Sequence, residues 1–189
     1  ESGAVWLSAD RTSPYAFFQF WLNTGDAEVV ALLQTFTFLT REAIEALAAE
    51  HVAAPEKRAA QRALAEQVTG LVHGAVALEQ AKRASEALFS GDVSGLDAVS
   101  LAQVFEDAPA SQHSKELLGG GGLEILELLI ATKLVSSKRE ARQMLESGAI
   151  SLNGARVALD HRLTEADLLH GSVSLLRRGK KSWHVARWS

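Results

Sequence analysis

Four consecutive glycines, Gly119–Gly122, separate two stretches of this 189-residue sequence whose apolar residues recur at different periods. A glycine run loses more backbone entropy on ordering than any other run of that length, so it is expected outside regular elements. Pro109–Gly122 therefore reads as an interdomain linker. A phosphate-cradling glycine loop would end in Gly-Lys-Ser/Thr or follow a strand, and the sequence around the run does neither. The predicted architecture is an all-α domain over residues 1–108, the linker over 109–122, and a small α+β domain over 123–189, with two helices packed on an antiparallel sheet.

Helix signals dominate the first stretch. Val5-Trp6-Leu7 reads as a short extended segment. Ser13 is placed to cap a helix that has Pro14 in its first turn, where a missing N–H costs nothing. That helix carries the aromatic cluster Phe17–Trp21, read as core, and ends at Asn23-Thr24-Gly25. Asp26 can cap a second helix through Val29, Val30, Leu32 and Leu33. Thr40 caps a third, with Glu42 in its first turn. From Pro55 an Ala-rich stretch of strong helix formers runs to Phe89, interrupted near Gly70 and Gly74. Ser90-Gly91-Asp92 stops it, and a short helix is expected at Leu101–Glu106.

After the glycines, Leu123, Leu126, Leu129 and Ile130 mark one amphipathic helix. Ser137-x-x-Glu140 is a capping box for a second, Lys138 to Glu146, stopped by Gly148. Strand-like runs follow at Ala149–Leu152, Arg156–Leu159, Val173–Leu176 and Trp183–Ala186. Turns are expected at Asn153-Gly154 and at Arg178-Gly179-Lys180.

Charge divides the sequence in the same way. Residues 1–122 carry a net −8 and residues 123–189 a net +4, so the overall −4 averages an acidic body with a basic module. Such a module suits a polyanion. On the helix from Lys138, the residues Lys138, Arg139 and Arg142 share an arc of about 100°, apart from Ala141, Met144 and Leu145. Lys133, Asn153, Arg156, Arg177, Arg178, Lys180 and Lys181 complete the candidate nucleic-acid-binding set.

Other chemistry is poorly supported. With no cysteine, thiolate metal sites, disulfides and cysteine nucleophiles are excluded, and a reducing, cytoplasmic setting is expected. The six histidines show no paired helical spacing, so no metal site is predicted. No apolar run reaches the ~20 residues of a membrane helix. Trp183 and Trp188, flanked by basic residues, can stack on an unpaired base or pack against the preceding strand. The sole methionine is Met144, so the sequence reads as an internal piece or the ordered part of a longer chain, with no targeting peptide.

Ser136-Ser137-Lys138-Arg139-Glu140-Ala141-Arg142, followed by Gly148 through Gly154, resembles the S-four-type RNA-binding domain. That module is shared by a small-subunit ribosomal protein, some pseudouridine synthases and tyrosyl-tRNA synthetases. The N-terminal stretch narrows the resemblance. Thr12-Ser13-Pro14-Tyr15, Phe17-Phe18-Gln19-Phe20-Trp21, Phe36-Thr37-Phe38-Leu39, Leu71-Val72-His73-Gly74 and Ser85-Glu86-Ala87-Leu88-Phe89 resemble bacterial tyrosyl-tRNA synthetases, in order along the chain.

The resemblance implies a helical anticodon-binding domain plus the S-four-type domain, beginning just after the mobile Lys-Phe-Gly-Lys-Ser/Thr loop of that family. It implies tRNA(Tyr) as partner, held by its anticodon stem and long variable arm, and no catalytic residue in these 189 residues. No cofactor is expected here, with ATP, Mg and tyrosine handled by a parent protein that is a homodimer, while this portion alone is expected to be monomeric. An acidic residue near the wobble base is also implied, making Asp26 an anticodon candidate beside its reading as a helix cap. The competing class is a non-catalytic ribosomal-RNA-binding or RNA-chaperone protein carrying the same small module.

Overall fold

In the computed structural model, which describes residues 5–180 and 182–189, the chain divides into two compact units, one up to Glu86 and one from Ala87 onward. The first is helical. Helix α1 (Pro14–Leu22) starts where Ser13 accepts a hydrogen bond from the Ala16 N–H, with proline in the first turn. Helices α2 (Val29–Phe36) and α3 (Arg41–Ala53) follow, α3 capped by Thr40. After a single 3-10 turn at Pro55–Lys57 comes α4 (Ala59–Ser90). Its one non-helical residue is Gly74, whose φ of 84° kinks the helix; Gly70 stays helical, against expectation. Phe17, Phe18 and Trp21 of α1 meet Val29 and Leu33 of α2 and Ala60, Leu64 and Val68 of α4 in one core. The aromatic cluster is core, except that Phe20 points outward. Val5–Leu7 form no strand.

The second unit opens with α5 (Ala98–Val104), capped by Asp97 and three residues earlier than the apolar spacing suggests. Then come β1 (Ala110–His113), β2 (Leu123–Glu124), α6 (Ile125–Ala131), α7 (Lys138–Glu146), β3 (Ile150–Leu152), β4 (Ala155–Arg156), β5 (Arg162–Leu163), β6 (Val173–Arg178) and β7 (Ser182–Trp188). The main sheet runs β1-β7-β6-β3-β4, and β2 pairs with β5 apart from it. Every pairing in it is antiparallel except β1 with β7, so the expected purely antiparallel sheet is mixed.

One face of this sheet, through Ile150, Leu152, Leu176, Ala186 and Trp188, shares a core with Ile125, Leu128 and Leu129 of α6 and Ala141 and Leu145 of α7. The other face receives α5. Phe105 meets Trp183 edge-on at 5.1 Å, and a groove of about 350 Å³ lies among Leu101, Phe105, Val173 and Val185.

Residues 109–122 are not a free connector. Ala110–His113 is strand β1, and Leu118 is buried in the α6–α7 core. The polar run Ala-Ser-Gln-His has no apolar alternation, so only its backbone bonds to β7 reveal it as a strand. Of the four glycines, Gly122 makes a close approach: at its φ of 83° a Cβ would lie 2.6 Å from the Leu163 carbonyl oxygen, where β2 meets β5. Residues 87–108, assigned by periodicity to the helical domain, belong to the unit of the sheet.

The edge strand carries a polar cluster. Ser111 Oγ lies 2.7 Å from His113 Nε2 and 2.9 Å from His184 Nε2. One hydroxyl donates to one ring and accepts from the other, which suits two neutral imidazoles and fails for two protonated ones. Burial lowers both pKa values from the usual 6.5, and His113 further lowers His184. A histidine with a depressed folded pKa contributes stability that is complete above about 6.5 and lost as pH falls through the folded value. The chain should therefore melt at lower temperature as pH drops below about 6.5, and His184→Gln should flatten that dependence. Parallel pH-dependent melts with the same slope in both proteins would contradict this.

Candidate nucleic-acid interface

Helix α7 is built as its sequence dictates. Ser137 Oγ accepts from the Glu140 N–H at 3.2 Å, Gly148 ends the helix with φ 67°, and Ala141 and Leu145 are buried. Lys138, Arg139 and Arg142 are left exposed, and among the described residues none of them pairs with a carboxylate. The expected capping box is half formed. The Glu140 carboxylate accepts from Ser136, from its N–H at 2.7 Å and its Oγ at 2.6 Å, instead of from Ser137. These Ser136 bonds, with the Arg178 guanidinium beside them, hold the Glu140 carboxyl below the usual carboxylate range.

Lys133 is exposed at the end of α6 with φ 58°, on the rim of a cleft of about 440 Å³ that it shares with Ile130, Val135, Ser136, Glu140 and Arg178. Arg156, on β4, is exposed, with its guanidinium near Gly148 at the far end of α7. Lys180 is exposed in the β6–β7 turn, and Lys181 lies outside the described residues.

Arg177 and Arg178 do not share a surface, because neighbours on a strand point to opposite faces. Arg178 Nη1 donates to the Leu134 carbonyl at 2.7 Å, and Nη2 lies 3.1 Å from Glu140 Oε1. Arg177, on the opposite face, donates to Ser151 Oγ at 3.3 Å and lies over the Trp183 ring at 5.0 Å. Asn153 is engaged within the fold as well. With φ 51° it makes the turn, donates to the Asp167 carbonyl at 2.6 Å and accepts from the Leu175 N–H at 2.8 Å. The two tryptophans pack: Trp183 between Arg177 and Phe105, and Trp188 in the core with its indole N–H on Ser174 Oγ at 2.7 Å.

In the helical unit, Asp26 does not cap α2, which begins at Val29 after Glu28 with no side-chain cap bond. The fully buried Gln61 instead donates to Asp26 Oδ1 at 2.7 Å. His51 Nε2 lies 3.2 Å from the Asp26 carbonyl, which can only accept, so the ring carries its proton there. Arg58 donates to the carbonyls of Leu22 and Thr24 at 2.8 and 3.2 Å. The turn is thus braced from beneath while the Asp26 side chain stays 61% exposed. Its local sequence carries no sign of these partners, which come from α3, α4 and the residue before α4.

Two family models cover nearly the whole chain. One, described as the tyrosine–tRNA ligase SYY-like C-terminal domain, matches residues 100–186; the other, tRNA synthetases class I (W and Y), matches residues 1–90. A tyrosine–tRNA ligase of Geobacillus kaustophilus (strain HTA426) is 49% identical over 190 residues, all of this chain and 44% of that protein. The chain belongs to the tyrosyl-tRNA synthetase family. A second synthetase relative, from Bacillus caldotenax, is 48% identical over 190 residues with the same coverage. The chain spans 44% of the length of these tyrosyl-tRNA synthetase relatives and aligns with their C-terminal portion. Among solved structures, a C-terminally truncated Aspergillus nidulans mitochondrial tyrosyl-tRNA synthetase is 35% identical with a TM-score of 0.44, covering 46% of this chain and 25% of that one.

The C-terminal family match begins inside α5, at residue 100, so α5 and β1 fall with the sheet in the family alignment as they do in the fold.

Proposed function

We propose that this chain is the tRNA-binding portion of a tyrosine–tRNA ligase, holding the anticodon stem and variable arm of tRNA(Tyr) so that the acceptor end reaches a catalytic domain outside these residues. The observation that carries the reading is α7, whose Lys138, Arg139 and Arg142 face solvent without carboxylate partners while Ala141 and Leu145 anchor the helix. Lys133, Arg156 and Lys180 extend this surface as phosphate contacts. Such contacts set register, and a few base contacts set identity.

ATP, Mg and tyrosine are assigned to the parent protein, a cytoplasmic homodimer. Among the described residues no group of three or more His, Asp or Glu is gathered as ligands for a metal ion. No helix among them is long and apolar enough to cross a membrane.

Asp26 is assigned to the wobble base. A carboxylate offers about four lone-pair sites, so Oδ1 can hold the Gln61 amide and still share a guanine edge with Oδ2. The test compares Asp26→Asn with the parent sequence, using a tRNA(Tyr) transcript and one altered at the wobble position. Discrimination between the two should fall by ~1–3 kcal/mol, the scale of a good bidentate base contact. Equal loss of affinity for both transcripts would remove Asp26 from base reading. Failure of the unmutated chain to prefer tRNA(Tyr) over an unrelated tRNA would remove the proposed function.

A further inference from the structure

Glu140 is a carboxylate set among the cations of the proposed RNA surface, where simple electrostatics would count it against phosphate binding. Its contacts say otherwise. Oε2 accepts both the N–H and the hydroxyl of Ser136, while Oε1 faces Arg178 Nη2 at 3.1 Å. The same guanidinium donates through Nη1 to the Leu134 carbonyl at 2.7 Å. Strand β6 is thereby tied to both ends of residues 134–140, the turn that leads from α6 into α7. This turn starts from Lys133 at φ 58°, a conformation a side-chain-bearing residue keeps only where its surroundings hold it.

An isolated ion pair at a surface fixes little. Here, however, one carboxylate and one guanidinium make four contacts, two of them to main-chain atoms, and charge-assisted bonds of this kind set direction as well as distance. The Arg178 side chain is 38% exposed and already holds a carbonyl and a carboxylate, so it is poorly placed to serve as an ordinary phosphate ligand.

We propose that Glu140 and Arg178 are positioning residues, a clamp that fixes the turn carrying Lys133 and Lys138 for the RNA backbone, so that the Glu140 carboxylate raises RNA affinity. The inference rests on the tRNA-binding reading above. It reassigns Arg178 from phosphate contact to support, and it reverses the sign expected of Glu140.

The experiment titrates Glu140→Gln, Arg178→Met and the double variant with a tRNA(Tyr) transcript at several salt concentrations, with thermal melts alongside. Glutamine keeps the size of the side chain but cannot accept on both terminal atoms, so it breaks one side of the clamp. Each single variant should bind about threefold or more weakly at fixed salt, and the double should bind no worse than the weaker single, as partners in one unit do. The slope of log affinity against log salt should stay unchanged. Ser136→Ala removes one donor to the carboxylate without altering charge, and it should weaken binding in the same way even if Glu140→Gln folds poorly.

Tighter or unchanged binding by Glu140→Gln would overturn the clamp. So would a slope flattened by the ~0.7–0.9 of one lost phosphate contact in Arg178→Met, or a Ser136→Ala variant that binds like the parent. Salt-insensitive binding by the unmutated chain would instead overturn the RNA-binding reading itself.

Discussion

Replacing Lys138, Arg139 and Arg142 together with alanine is expected to cost the chain a large part of its salt-sensitive affinity for tRNA. Each phosphate neutralised by a cation releases condensed counterions, contributing ~0.7–0.9 to the slope of log affinity against log salt. Three such contacts predict a slope flattened by about two to three units. Between about 50 and 200 mM salt, the parent chain should therefore lose about 20- to 40-fold more affinity than the variant. The fold should survive. The three side chains are exposed, among the described residues they form no ion pair, and alanine is the best helix former. Titrations at four salt concentrations with parallel melts separate the outcomes. An unchanged slope with an unchanged melt would place the RNA on another surface and leave α7 a solvated basic helix.

That prediction rests on a helix legible in the sequence except for the Glu140 half of its capping box, which goes to Ser136. Its cap, its buried stripe and its glycine stop all lie within twelve residues, and local rules decide each of them. Legibility fell where a residue's role is set by a distant partner. Arg178 reads as one more cation in a basic run, and only the fold brings it to Leu134, 44 residues away. Asp26 reads as a helix cap until Gln61, 35 residues on, takes its carboxylate. The allegiance of residues 87–108 was hidden for another reason. Helical periodicity records that a segment has an apolar face, and α5 has one; it does not record which core receives it. Strand β1 has no apolar alternation at all, and it is held to β7 by main-chain bonds, including Val185 N–H to the Pro109 carbonyl at 2.9 Å. The Asn153-Gly154 turn is legible in the sequence, whereas the Gly91–Asp92 loop packed against it is not.

Gly154→Ala is expected to destabilise the C-terminal unit by about 2–5 kcal/mol. Two separate effects act at this turn. Gly154 has φ 90°, a left-handed backbone that costs an L side chain roughly 1–2 kcal/mol. A Cβ there would also collide with the carbonyl oxygen of Gly91 and lie 3.2 Å from Asp92 Cα. Both are main-chain atoms that cannot rotate away, and Gly91 is itself pressed against the Arg177 guanidinium, so overpacking should add about 1–3 kcal/mol. Gly120→Ala is the control. It has φ 64° but nothing within 4 Å of its Cβ position, so only the backbone cost of about 1–2 kcal/mol should appear. Denaturant melts give the totals, and hydrogen exchange at the β3 and β6 amides localises the loss to the sheet. If Gly154→Ala cost no more than Gly120→Ala, the Gly91–Asp92 loop would not be packed on the hairpin. The assignment of residues 87–108 to the sheet's unit would then lose one of its supports.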